Sequence, residues 1–214
     1  MRQVGSIRHD ERMTTPALFA ASTLVVNQKV KVIELTNEYS VLDENGQVLG
    51  TVVEVGQSGL RKAIRLVSSW DQFLTHRLEV RDLDGTPILL ITRPAKLLKS
   101  KVVVSRPDGT EIGRIEQENA IGKIRFAMRV DGRQIGELAA ENWRAWDFSI
   151  VDETGTEIAR IKKTFEGIAK TLFTTADNYV VRIHKSLEDP LLSLVVASAL
   201  TVDTALKQDK RGLN

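Results

Sequence analysis

A strand–turn–strand pattern occurs five times in succession in this chain, and each copy has a glycine at the end of its turn. The last four of these glycines are 24, 23 and 23 residues apart, which leaves room for two short strands, a tight turn and a connecting segment. An aspartate precedes each glycine, and its side chain can bond the turn backbone while glycine adopts a positive φ. Such turns between alternating apolar residues predict consecutive antiparallel hairpins. The copies span 39–54, 78–93, 102–117, 126–140 and 148–163, with turn glycines Gly46, Gly85, Gly109, Gly132 and Gly155.

Alternation within each copy assigns its residues to two faces. Apolar residues two apart in the first strands, such as Phe148 and Ile150, are expected to point inward. The second strands have one small inward position in four of the five copies. Because glycine inside a strand otherwise lowers stability, this small slot indicates that something bulky approaches the sheet there. A β-bulge that inverts the parity of the faces is the alternative. The slot residues are Gly50, Gly113, Gly136 and Ala159, and Leu89 departs from the pattern.

The C-terminal segment predicts a helix over residues 190–208. Asp189 as N-cap and Pro190 in the first turn are typical of a helix start, and basic residues before Gly212 are typical of a helix end. Its first three turns are apolar nearly all round, which indicates a helix buried on every side. The uninterrupted apolar part is about 12 residues, or about 18 Å, against roughly 30 Å of hydrocarbon in a bilayer. We therefore predict a helix threaded through a closed β-barrel, with membrane insertion as the alternative. The residues expected to fill the barrel axis are Leu191, Leu194, Val195, Ala199 and Val202.

The chain is long enough for one domain with a sizeable core, and we expect this domain to span 18–208. Residues 1–17 are predicted to be a disordered leader and 209–214 a tail. The alternative at the N-terminus is a signal peptide with 17–26 as its apolar region. It is disfavoured because Asp10 and Glu11 lie in the charged part and Ser22 and Thr23 interrupt the apolar part.

Composition and motifs give no indication of an enzyme. The chain has no cysteine, which excludes disulfides, thiol nucleophiles and thiol lipidation. The three histidines are far apart in sequence, and no Walker, GxSxG or GxGxxG pattern occurs. Residues 82–85 begin like a calcium loop, but Arg93 stands where the closing glutamate belongs, so a hairpin turn is predicted. The near balance of 30 basic and 28 acidic residues disfavours a nucleic-acid groove. We predict no enzyme, no cofactor, no metal and no nucleic acid partner.

The C-terminal part of the chain resembles that of phospholipid scramblases. Residues 176–181 (ADNYVV) are followed by a short strand and a hydrophobic helix with a late aspartate, Asp203. The hairpin repeats and the segment 24–29 (LVVNQK) are similar to bacterial scramblase-like proteins and to the plant LURP-one-related proteins. These families share the tubby-like fold. The resemblance covers residues 18–208 and implies a mainly β protein, in which a closed antiparallel barrel of about 12 strands surrounds one buried C-terminal helix.

The chain differs from the scramblases in two features, the calcium loop and the cysteine cluster that carries lipid. Eukaryotic members have a proposed calcium loop at this run, with acidic first, third and twelfth positions, where this chain has Thr175, Asp177 and Ser186. One carboxylate of three is retained, whereas calcium takes roughly six to eight oxygen ligands. We therefore expect Asp177 to be a remnant of the loop that forms a turn with Asn178 and binds no calcium. The cysteine cluster that is lipidated in those proteins is absent as well.

The resemblance implies a protein that binds anionic phospholipid at its surface, and basic residues are the candidates for that contact. The weak candidate set comprises Arg61, Lys62, Arg65, Lys96, Lys99, Lys101, Lys162 and Lys163, with Arg93, Arg160 and Lys170 in the same clusters. A near-surface cation contributes about 1 kcal/mol towards anionic lipid, but these clusters are also compatible with an ordinary solvated surface. Trp70, Trp143 and Trp146 are candidates either for headgroup anchors or for core packing.

Two functional interpretations follow from the resemblance. The first is a peripheral anionic-phospholipid-binding barrel, cytoplasmic and at the inner face of the plasma membrane, with scramblase activity implied by homology only. The second is a soluble LURP-one-like scaffold that binds a protein partner and transports no lipid.

Overall fold

Twelve antiparallel strands form a closed barrel in the computed structural model of the protein. The structure describes residues 15–27, 38–56, 75–94, 99–119, 124–142, 146–163 and 178–211, with the side chains at 27, 38, 141, 142, 178 and 202–211 excepted. Each strand pairs with the next along the chain, and β1 pairs with β12 to close the barrel. The strands are β1 (Thr23–Asn27), β2 (Glu38–Leu42), β3 (Val48–Val55), β4 (His76–Arg81), β5 (Pro87–Arg93), β6 (Lys101–Ser105), β7 (Glu111–Gln117), β8 (Arg125–Val130), β9 (Arg133–Asn142), β10 (Asp147–Asp152), β11 (Glu157–Lys162) and β12 (Asn178–Ile183). The predicted fold class is confirmed.

The pairing gives the barrel two distinct ends. The five predicted hairpin turns join β2–β3, β4–β5, β6–β7, β8–β9 and β10–β11, so all five lie at one end, which we call the turn end. The strand ends between which the chain passes from one hairpin to the next lie at the opposite end, which we call the connector end. A helical turn α1 (Ala17–Ala20) precedes β1 at the turn end, where the Ile183 N–H donates to the Ser22 carbonyl.

Four of the five turns share one hydrogen-bonding geometry. At the first of them the Gly46 N–H donates to the Asp43 carbonyl, the Asp43 N–H donates to the Gln47 carbonyl, and Gly46 has a φ of 86°. The Asp43 carboxylate accepts from the backbone N–H groups of Asn45 and Gln47 at 2.9 and 2.8 Å. The fifth turn is a two-residue connection in which both Asp131 and Gly132 have positive φ, as a twist-matched hairpin requires.

These hydrogen bonds lower the pKa of several turn aspartates. The Gln47 N–H does so at Asp43, and the N–H groups of the threonines that follow do so at Asp84 and Asp108. The pKa of Asp152 is held well below its ordinary value chiefly by Lys185, whose ammonium lies 2.8 Å away, and then by Thr154. These hydrogen bonds therefore favour the ionised form of Asp43, Asp84, Asp108 and Asp152.

Each hairpin also contains a β-bulge directly before the inward slot, which Leu89 occupies in the second hairpin. In β7, for example, Val104 pairs with Gly113 and Ser105 pairs with Glu111, which leaves Ile112 as the extra residue. The same shift occurs in the other four hairpins. The inward direction of the slot is kept, since Gly113 and Ile115 are both buried. The bulge and the small inward residue, considered above as alternatives, therefore occur together.

The glycines Gly113 and Gly136 lie close both to the backbone of an adjacent strand and to the helix. A Cβ added at Gly113 would lie 2.6 Å from the Arg129 carbonyl oxygen on β8 and 3.3 Å from Leu194 of the C-terminal helix. At Gly136 the corresponding atoms are the Val151 carbonyl oxygen at 2.9 Å and Leu191 at 3.4 Å. The predicted bulky neighbour is thus present at both slots, but the tightest constraint is the backbone of the adjacent strand.

The C-terminal helix α2 (Leu191–Arg211) enters the barrel at the turn end and lies inside it. Every residue from 193 to 201 is buried, which accounts for a sequence that is apolar nearly all round. The hydroxyls of Ser198 and Thr201 donate to carbonyls one turn back, at 2.8 and 2.7 Å. Leu194, Val195 and Ala199 are completely buried, and Leu191 is partly buried. The side chain of Val202 lies outside the described residues.

The start of α2 differs slightly from the prediction. The helix begins at Leu191 and ends at Arg211, three residues beyond the predicted end. Asp189 lies two residues before the helix, where its carboxylate accepts from both the backbone N–H and the hydroxyl of Ser193, at 3.2 and 2.6 Å. The aspartate therefore caps the first turn from one position further out than expected.

Candidate interaction surface at the connector end

The described basic candidates all lie at the connector end of the barrel. Lys99 and Lys101 are at the start of β6, and Lys162 and Lys163 are at the end of β11. Five steps of strand pairing separate β6 from β11, so the two pairs lie on different sides of the same rim. The structure brings them to one end but not into one patch. Five of the basic candidates lie outside the described residues: Arg61, Lys62, Arg65, Lys96 and Lys170.

The two cations of the first pair have different partners, a carboxylate for Lys101 and a backbone carbonyl for Lys99. Lys101 lies 3.1 Å from Glu116, which is also 3.6 Å from Arg129. The ammonium of Lys99 donates to the backbone carbonyl of Glu118. Arg93, placed in the same cluster by sequence, is 4% exposed and is therefore not a surface cation. Sequence grouping overestimated the surface charge of this cluster.

The second pair adjoins an ion-pair network on β10 and β11. Asp147 accepts from Arg160 at 2.8 Å and lies 3.3 Å from Lys162. Burial raises the pKa of Asp147, but the hydrogen bonds from these two cations outweigh it, so the pKa is lowered overall. The pKa of Arg160 is raised, chiefly by its hydrogen bond to Asp147. Arg160 and Lys162 are therefore largely neutralised by neighbours.

Lys163 is in a different environment, above an aromatic side chain. Its ammonium lies 5.1 Å from the ring centroid of Trp146, within the range of a cation–π contact. Trp146 in turn packs against Tyr179, with ring centroids 4.8 Å apart, and edge-on against Phe148 at 6.1 Å. Trp146 has a φ of 55°, a conformation that bulky residues rarely adopt. Sequence reasoning named Trp146 as a candidate but had no signal for its backbone conformation. Trp70 and Trp143 lie outside the described residues.

The turns at the turn end are predominantly acidic. The five turns, at 43–47, 82–86, 106–110, 131–133 and 152–156, contain eight carboxylates and two arginines. A cleft of about 310 Å³ lies nearby, between α1 and the segment that follows β12. At its rim Lys185 pairs with Asp152, and His184 lies 3.2 Å from Glu157. At this rim, therefore, Lys185 is already paired with a carboxylate.

Metal ligands do not converge in the part of the chain that the structure describes. No group of three or more histidine or acidic side chains there is arranged to hold a metal ion. Of the three positions of the calcium loop, Ser186 is exposed in the segment after β12, while Thr175 and Asp177 lie outside the described residues. Within the same described ranges, no helix has the length and apolar character needed to cross a bilayer.

Comparison with known proteins assigns the family. The fold and the position of the helix define the class of closed antiparallel barrels that enclose a C-terminal helix. The Scramblase family model matches residues 1–206. The chain belongs to the scramblase family.

Two curated relatives are similar to this chain. A phospholipid scramblase family protein of Schizosaccharomyces pombe is 25% identical over 189 residues, which is 79% of this chain and 49% of the relative. Altered inheritance rate of mitochondria protein 25 of Saccharomyces cerevisiae is 23% identical over 208 residues, which is 81% of this chain and 61% of the relative. The chain thus matches about half to three fifths of the length of these relatives. A crystal structure of an Arabidopsis thaliana protein is similar at 12% identity with a TM-score of 0.49, covering 86% of this chain and 93% of that one.

Proposed function

We propose that this protein is a non-catalytic, peripheral phospholipid-binding barrel whose connector end faces an anionic membrane surface. The observation that carries the proposal is the position of Lys99 and Lys163 at the connector end, opposite the acidic turns, in a member of the scramblase family. An anionic bilayer attracts near-surface lysines and arginines and repels carboxylates within about a Debye length. The barrel would therefore dock with its acidic turns pointing away from the lipid.

Local neutralisation identifies the cations that matter most in this proposal. Lys101 and Lys162 each have a carboxylate within 3.3 Å, which offsets their attraction to lipid. Lys99 donates to a backbone carbonyl, and the ammonium of Lys163 lies over the indole of Trp146. Lys99 and Lys163 are accordingly the first residues to test.

The burial of α2 favours binding over lipid translocation. Nine consecutive residues of the helix, 193–201, are buried inside the barrel and are not available to a bilayer. Translocation of a headgroup beside this helix would require the helix to leave the barrel and open its core. Scramblase activity is suggested by family membership, and we propose membrane binding without it.

Vesicle cosedimentation tests the proposal. Lys99→Gln combined with Lys163→Gln removes two positive charges from the connector end, and the matched control, Arg106→Gln combined with Arg133→Gln, removes two from the turn end. With about 1 kcal/mol per cation, the first variant should bind phosphatidylserine-containing vesicles about 30-fold more weakly at low salt. The control should change binding less than 2-fold. Vesicle binding that does not rise with anionic lipid content, or does not fall with salt concentration, would rule the proposal out.

The protein-interaction scaffold predicts a different result. A scaffold would recover one stoichiometric partner from cytosol and would not sediment with vesicles. Reconstitution with fluorescent lipid and dithionite then separates binding from translocation, since we expect no acceleration of bleaching beyond that of empty vesicles.

A further inference from the structure

The backbone at Trp146 is held in a costly conformation. For a bulky residue, a left-handed φ such as the 55° of Trp146 costs on the order of 1–3 kcal/mol, and it persists only where surrounding contacts enforce it. Two aromatic side chains contact the indole: Tyr179 stacks on it and Phe148 packs against it edge-on. Tyr179 and Phe148 are themselves almost completely buried. One side of the indole is therefore fixed to the barrel core.

The position of Trp146 places this aromatic ring at the rim of the connector end. Asp147 and Lys162 are paired at the ends of β10 and β11, and Trp146 and Lys163 each lie one residue beyond that pair. Trp146 is only partly buried, and the ammonium of Lys163 lies over its ring. An indole beside a cation at the edge of a folded domain combines the two groups that favour a headgroup boundary: an amphipathic ring and a positive charge.

We propose that Trp146 and Lys163 form a preorganised anchor for an anionic bilayer surface, with the indole at headgroup depth and the ammonium against lipid phosphate. The left-handed backbone and the stack on Tyr179 hold the indole in place before contact, so binding does not have to order this side chain. The anchor rests on the proposed membrane binding and specifies where on the connector end the contact is made.

Depth-dependent fluorescence quenching tests the anchor. In the full chain with Trp70→Phe and Trp143→Phe, all indole emission comes from Trp146 in its native surroundings. Vesicles of phosphatidylcholine with phosphatidylserine, brominated either near the headgroup or deep in the acyl chain, should quench this emission, the shallow bromine more strongly. Lys163→Gln in the unaltered chain should weaken vesicle binding about 5-fold. Arg106→Gln, which removes one exposed charge at the turn end, is the matched control.

The outcomes separate the anchor from the proposed function. Vesicle binding with unquenched Trp146 and an unaffected Lys163→Gln variant would overturn the anchor and leave membrane binding intact. If neither the parent chain nor any variant binds vesicles, although thermal melts show that all of them are folded, both the anchor and the proposed membrane binding are overturned. Soluble glycerophosphoserine should leave Trp146 emission unchanged, and a saturable shift with it would show recognition of a free headgroup in place of a membrane surface.

Discussion

Replacing Gly113 by alanine tests the close approach of β7 to β8 and to the enclosed helix α2. The new Cβ would lie 2.6 Å from the Arg129 carbonyl oxygen, whereas ordinary contacts begin near 3.4 Å. The oxygen belongs to a backbone that is paired on β8 and cannot move independently of the ladder. On the other side Val130 and Leu194 lie 3.0 and 3.3 Å away, so the methyl group has no direction in which to relax.

The expected loss of stability follows from two opposing terms. Overpacking of a well-packed core costs roughly 1–3 kcal/mol, and a site enclosed by backbone belongs at the upper end. The lower entropy of the unfolded alanine chain returns about 0.4–1 kcal/mol. We therefore expect Gly113→Ala to lower the free energy of unfolding by about 2 kcal/mol and the Tm by roughly 4–8 °C.

Urea and thermal unfolding of a small series measure this loss. Gly136→Ala should cost less than Gly113→Ala, because its nearest oxygen is 2.9 Å away. Ala159→Gly, at the equivalent slot in β11, should lower stability rather than raise it, since its methyl group is already accommodated and buried. A Gly113→Ala protein as stable as the parent or more stable would refute the close approach.

Two further predictions concern the turns and the start of α2. A lowered pKa means that a turn aspartate contributes stability that is complete above its ordinary value near pH 4 and is lost as the pH falls through the lowered folded value. Denaturant midpoints should therefore be level near neutral pH and fall below about pH 4, and Asp152→Asn should make this fall shallower; equal profiles for parent and variant would contradict the role of Asp152. Asp189→Ala removes both hydrogen bonds to Ser193 and should lower the free energy of unfolding by about 1 kcal/mol in urea melts, whereas no change would show that the cap is dispensable.

Local sequence signals were sufficient for most of the architecture. Turn glycines with nearby aspartates located all five hairpins. A tight turn needs a residue that adopts positive φ and a side chain that bonds the turn backbone, and few residues other than glycine and aspartate meet these needs. The apolar segment after Asp189 indicated a helix buried on every side, and burial over 193–201 has that cause. The bulges were harder to place, because alternation alone does not show whether Ile112 or Gly113 is the extra residue. The pairing of Gly113 with Val104 on β6 shows that Ile112 is the extra residue.

The candidate site was less readable because its properties depend on contacts between distant strands. Arg93 is basic in sequence but buried in the fold, and Lys162 is neutralised by Asp147, fifteen positions earlier. Trp146, with its left-handed backbone, packs against Tyr179, which is brought near it only by the pairing of β10, β11 and β12. Charge counting along the chain therefore lists basic residues but does not show which of them the fold buries or pairs with carboxylates.

Native-state hydrogen exchange of the amides at 194–201 tests most directly whether α2 is enclosed by the barrel. If the helix can reach water only when the barrel opens, the free energy of exchange of these amides should equal the global free energy of unfolding measured in urea, as for the most protected strands. A free energy of exchange several kcal/mol below that of global unfolding, while the amides of β7 to β10 remain protected, would mean that the helix leaves an intact sheet. That result would contradict the enclosed architecture.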